Sequence, residues 1–211
     1  MLLEDPAIEG REVVPDQVAG NKTNDCQIVT LPTKEDAEQL FRESLDRLLE
    51  VNKWKETSEK PLAAFQLSDA AGRPVQRKAA PGDYIRIRLP GPGNPSGEGF
   101  DWVVIEAITE QMNIRSDALT VTMRVRPAPQ PEKPRRQVSH FFRRYATSSF
   151  MVMLQGRTVS ACVFGRNEVP NTEAKGILTK LRNLVVAATA MLGFSHFQWK
   201  SLVKGIVGIR K

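Results

Sequence analysis

TSSFMVMLQGRTVSACVFGRNEVPNTEAKGILTKLRNLVVAATAMLG, residues 147–193, is the stretch whose reading decides the fold. Phe150, Val152 and Leu154 alternate with Met151 and Met153, and Gln155-Gly156-Arg157 then turns the chain into a second apolar run, Val159 to Phe164. Period-2 alternation around a short Gly-bearing turn predicts a β-hairpin. After Pro170 the period changes. Ile177, Leu181, Leu184, Val185, Ala188, Met191 and Leu192 recur at helical spacing, with Lys175, Lys180 and Arg182 on the other side. Asn171 or Thr172 can cap the start, Glu173 suits the positive end of the helix dipole, and Gly193 can stop it. An amphipathic helix roughly 30 Å long follows, at about 1.5 Å per residue, and it needs a sheet on which to bury its stripe.

The hairpin and helix are preceded by elements that supply this sheet. Cys26 to Leu31 reads as a strand, stopped by Pro32. Thr33 is then placed to cap a helix from Lys34 to about Val51, with Ala37, Leu40, Phe41, Leu45, Leu48 and Leu49 on one face and Trp54 in a second short turn. Alternation returns at Ala63 to Leu67, at Tyr84 to Leu89, at Phe100 to Thr109 and at Leu119 to Arg126. Pro90 to Gly99 and Pro127 to Pro134 are loops by their proline and glycine content. Most connections between successive strands are too short for crossover helices, which predicts an antiparallel sheet and an α+β class.

With 211 residues and 41% hydrophobic content, the chain can bury one ordinary core. Three segments are expected: an arm over 1–25, rich in Asp, Glu, Gly, Pro and Asn; an α+β domain over 26–193; and a basic amphipathic extension over 194–211. The start, MLLEDPAIEG, does not read as a signal peptide, and Leu184 to Phe194 is too short to span a bilayer. Cys26 and Cys162, far apart in sequence, read as two reduced, packed thiols, which points to a cytoplasmic compartment. The net charge of +6 permits an anionic partner without requiring one.

The order strand, helix with a second short one, six strands and long helix resembles the helix-grip fold of the START and Bet v 1-like superfamily. The resemblance spans about residues 26–193 and is one of element order, with no diagnostic motif. It implies a curved antiparallel sheet of about six or seven strands around a long C-terminal helix, with space between them for a hydrophobic ligand.

Three groups of residues are candidates for a site. Gly165 to Asn171 concentrates Arg166, Asn167, Glu168 and Asn171 where the last strand meets the helix N-terminus, a place that suits an anion. Either Arg166 orients a carboxylate or phosphate there, or these side chains cap and pair locally. His140, between Arg136 and Arg143 and beside Phe141 and Phe142, is either an aromatic at the edge of the core or a base at a pocket mouth with Glu106 as its partner. Glu106 shares an alternation phase with Trp102, Val104 and Ile108, so its face is either solvated or holds a paired buried acid. Trp102, Met151 and Met153 lie on a second apolar face of the sheet that also needs cover, and methionines adapt to varied contacts.

His140 and His196 have no companions at metal-ligand spacing, so no metal is expected. No phosphate-binding glycine motif, nucleophile elbow or CxxC is present, and no cofactor is expected. Whether a reaction is catalysed stays open. Lys133 to Tyr145 mixes basic and aromatic residues, but without a recognised nucleic-acid motif this is more simply a solvated loop. In the extension, Trp199, Leu202, Ile206 and Ile209 form a helical stripe that packs on its own domain, on a second subunit in a homo-oligomer, or on an acidic surface. The expectation is a binder of a small, largely apolar or amphipathic molecule held between sheet and C-terminal helix. The alternative is a binding module for an anionic macromolecule or a partner protein.

Overall fold

The computed structural model describes residues 13–90, 94, 97–132, 138–171 and 196–208. Strand β1 (Asn21–Thr30) leads into helix α1 (Lys34–Leu49), a 3-10 turn (Val51–Lys53) and the single turn α2 (Trp54–Thr57). Six strands follow: β2 (Ala64–Ser68), β3 (Tyr84–Arg88), β4 (Asp101–Asn113), β5 (Ala118–Pro127), β6 (Thr147–Gln155) and β7 (Thr158–Glu168). Residues 196–206 are helical and are labelled α3. All strand pairs are antiparallel, in the order β1-β7-β6-β5-β4-β3-β2, so β1 returns beside the last strand. This curved sheet with α1 and α3 on one face is the helix-grip arrangement expected from the order of elements.

The inner face is built by alternation. Val121, Met123 and Val125 of β5, Phe150 and Val152 of β6, and Val159, Ala161 and Val163 of β7 join Ala37, Leu40, Phe41 and Leu48 of α1 in one core. Thr33 caps α1 as its sequence predicts, its Oγ1 accepting from the Asp36 N–H at 3.1 Å. The helix expected over 173–193 lies outside the described residues.

Residues of the extension occupy the core. Leu202, Val203, Ile206 and Val207 belong to the same inner-face cluster, with Trp199 packed against it. The Gln198 Oε1 accepts from the N–H groups of Leu62 and Ala63, and Arg47 and Ser44 of α1 donate to the Ile206 carbonyl. Gly205 permits the crossing, since a Cβ there would collide with the Thr57 backbone. The described part of the apolar stripe, Trp199, Leu202 and Ile206, therefore packs within its own fold and is not a free face for homo-oligomerisation.

Three further expectations change. Cys26 and Cys162 are disulfide-bonded, because β1 and β7 pair in a register that sets them directly opposite, Cα atoms 4.1 Å apart. Sequence distance concealed this, and the cytoplasmic expectation loses the two reduced thiols on which it rested. β1 begins at Asn21, taking in residues assigned to the arm. Gly165 to Glu168 continues β7 beyond its expected end at Phe164. Among the described residues, no helix is long and apolar enough to cross a membrane.

Candidate functional site

One end of the sheet gathers the starts of β4 and β6 with the ends of β3, β5 and β7. There a short strap, residues 138–146, closes over the inner face. It is tied at several points: Phe142 bridges Pro170, the Asn171 N–H donates to the Phe141 carbonyl at 2.7 Å, and the Arg143 N–H donates to the Val169 carbonyl at 2.9 Å. The Asn171 side chain donates to the His140 carbonyl at 3.1 Å. Asn171 thus positions the strap.

Beneath the strap is an apolar cavity of about 20 Å³, space for about one water molecule. Its walls are the rings of Trp54, Phe141, Phe142, Phe150 and Trp199, with aliphatic Ile85, Ile87, Val103 and Val125. Trp54, Phe150 and Trp199 interlock, their ring centroids 5.0 to 6.3 Å apart. The polar lining is His140, Thr147 and Ser148. The Thr147 hydroxyl is buried with no hydrogen-bond partner among the described residues.

His140 is 7% exposed, and burial pushes its pKa down to about 3, so the ring is neutral at ordinary pH. Its Nδ1 accepts the Phe142 N–H at 3.0 Å, which leaves the proton on Nε2. The imidazole can donate a hydrogen bond but carries no charge to offer. Beside it, Asp101 stands in the inward phase of β4, ahead of Val103 and Ile105. It accepts from the Asn94 side chain and the Phe141 N–H, while burial pushes its pKa up to about 6.

The other candidates are distributed differently. Glu106 is not a partner of His140: it ion-pairs with Arg124 and Arg126 of β5, at 3.1 and 2.8 Å, on the outer face. Glu106 keeps the outward phase of Trp102, and a bulge in β4 between Ile105 and Ala107 then shifts the phase and sends Ile108 to the inner side. Trp102, Met151 and Met153 also face outward, away from the aromatic cavity, and all three are buried. On that face Met151, Cys162 and Phe164 cluster with Val14.

Arg166, 8% exposed, donates to the Thr23 and Gly165 carbonyls and to Asn24 Oδ1, a staple between β7 and β1. Asn167 holds the segment that leads into β1. Its Oδ1 accepts from the N–H groups of Val18 and Ala19, and its Nδ2 donates to the Asp16 carbonyl. Glu168 turns inward and is considered below.

A second concavity, about 680 Å³ but open to solvent, lies between Gln27 and Val29 of β1, Glu56 to Glu59, and Lys204 to Gly208. Charged side chains and backbone line much of it. No group of three or more metal-ligating side chains occurs among the described residues.

Trp54, Phe150 and Trp199 were missed as lining residues because each reads as core, and they come together only through the sheet register and the docking of α3. Asp101 carried a signal: it is an acid in the inward set of its strand.

No protein-family model and no curated protein matches this chain. Among solved structures it is similar to truncated norcoclaurine synthase from Thalictrum flavum, at 8% identity and a TM-score of 0.36 over 93% of this chain and 100% of that one. It is similar to Ara h 8.0201, at 11% identity and a TM-score of 0.33 over 90% and 100%. A third likeness is to the di-domain ARO/CYC BexL of the BE-7585A biosynthetic pathway, at 13% identity and a TM-score of 0.36 over 90% of this chain and 51% of that one. Likeness at this level leaves ligand and activity to the residues of this chain.

Proposed function

We propose that this protein binds a small, largely apolar molecule between the inner face of the sheet and α3, under the 138–146 strap. The observation that carries the reading is the enclosed aromatic wall of Trp54, Phe142, Phe150 and Trp199, interrupted by few polar groups, the make-up of a small-molecule site. The present cavity is far below the few hundred Å³ a ligand needs, so a ligand enters by displacing the Phe141 and Phe142 rings with their strap. The strap is tied by hydrogen bonds of Ser139 to Trp102 and Ala128, of Phe141 to Asp101 and Asn171, and of Arg143 to Val169, and the apolar ligand surface buried beneath it offsets the cost of loosening them. His140 Nε2 and the Ser148 hydroxyl, both in the cavity lining, supply the orienting polar contacts.

Among the described residues, several cations that an anionic partner would need are already paired. Arg124 and Arg126 are paired with Glu106, Arg77 with Asp83 and Lys78 with Asp46. The deciding experiment is titration with the neutral fluorophore N-phenyl-1-naphthylamine. One-to-one uptake by the native protein, abolished when Ser148→Trp fills the cavity, supports the site; no uptake, or uptake indifferent to Ser148→Trp, rejects it.

A further inference from the structure

Glu168 is seated by two unusual backbone features. β1, β7 and β6 form a rung across the inner face, Thr23 opposite Gly165 and Gly165 opposite Ser148. Gly165 has no side chain to occupy this rung, and a Cβ there would overlap both Glu168 Oε1 and Thr23 Oγ1. Asn167 then takes a left-handed conformation, φ 55°, rare for a residue other than glycine. That turn breaks the alternation of β7 and folds the Glu168 carboxyl back over Gly165, one strand from Ser148 in the cavity wall.

The carboxyl so placed is incompletely satisfied. Glu168 is 3% exposed. Its Oε1 has one long hydrogen bond, 3.3 Å from Thr23 Oγ1, and its Oε2 is enclosed with no partner among the described residues. The neighbouring cation does not neutralise it at close range, because Arg166 is engaged by Thr23, Asn24 and Gly165 and stands over the Phe164 ring. A buried acceptor left open is costly, and a hydrogen-bond donor brought to Oε2 would remove that cost. Thr23 and Ser148, the rung neighbours of Gly165, both carry small hydroxyl side chains, and Ser148 is shared with the cavity wall.

Building on the apolar-cavity reading, we propose that Glu168 is a recognition carboxylate for a ligand that carries a protonated amine on an apolar body. The rings under the strap take the body, and the ammonium group reaches across Ser148 to Oε2. A charge-assisted hydrogen bond in such an enclosed place discriminates strongly against an otherwise identical molecule without the donor.

The test compares 1-naphthylmethylamine with 1-methylnaphthalene at pH 8 by calorimetry. The expected result is a preference for the amine of about tenfold or more, falling to about one in Glu168→Gln. As a readout that needs no variant, the carboxyl 13C resonance of Glu168 in the native protein should shift on adding the amine and stay still with the hydrocarbon. Binding of both probes with equal affinity, or a preference that survives Glu168→Gln, overturns the role of Glu168 and leaves the cavity standing. Binding of neither probe overturns both.

Discussion

The backbone N–H of Phe141 donates to the carboxylate of Asp101, so an acid at the first position of β4 holds the strap that roofs the aromatic cavity. The same strap continues into His140, whose Nδ1 takes the next-but-one amide, that of Phe142. Two adjacent amides of the roof thus depend on two different side chains. Asp101→Ala should cost about 1–3 kcal/mol by orphaning a buried donor. Amide exchange at Phe141 should quicken well beyond that at Phe142, a contrast that hydrogen-exchange NMR reads directly. Equal protection at both amides in the variant would mean the strap is held elsewhere.

The pH dependence of stability separates two buried groups of opposite sign. Burial lowers the His140 pKa from 6.5 to about 3, so its contribution is present above pH 6.5 and is lost as pH falls toward 3. Burial raises the Glu168 pKa from 4.5 to about 7, so its contribution is present below pH 4.5 and is lost as pH rises through 7. His140→Asn keeps an acceptor for Phe142 while removing the titration, and should flatten the acid limb. Glu168→Gln should stabilise the protein at pH 8 by on the order of 2 kcal/mol and leave it little changed at pH 4. Urea midpoints across that range decide the matter, and an unchanged midpoint at pH 8 would contradict the burial of Glu168.

The Cys26–Cys162 bridge closes a loop of 136 residues and ties the edge strand β1 to β7. Cross-linking over so long a loop restricts the unfolded chain, and reduction should lower stability by about 3 kcal/mol. Because Cys26 is exposed, a mild thiol reductant should reach the bridge without prior unfolding. Identical denaturation curves with and without reductant would show that the thiols are not joined in solution.

Most of the sheet was readable in the sequence because alternation is a local signal: each strand expected from Ala63 to Phe164 is present within a few residues of its boundaries. α1 was readable for the same reason, from the Thr33 cap and the stripe beginning at Ala37. Register is not a local signal. It brings Cys26 to Cys162, and no spacing in the chain announces that pairing. The bulge at Glu106 reverses the phase of everything after it in β4, which is why Glu106 and Ile108 looked like neighbours on one face and are not. The tail was ambiguous because one amphipathic stripe can pack on any apolar surface; Gln198 and Gly205, which fit it to Leu62, Ala63 and Thr57, settle where it docks. Arg166 and Asn167 were picked out for their polarity, yet the hydrogen bonds they make tie β7 to β1 and to the segment before it.

Trp54 and Trp199 line the aromatic cavity, while Trp102, the remaining tryptophan of the chain, stands on the opposite face of the sheet. Their three indole N–H resonances therefore report where an apolar molecule binds. In a 15N-edited NMR titration with 1-methylnaphthalene, the Trp54 and Trp199 signals should move together and saturate at one equivalent, with Trp102 unmoved. A shift of Trp102 alone, or no shift of any indole at saturating probe, would contradict a binding site under the strap.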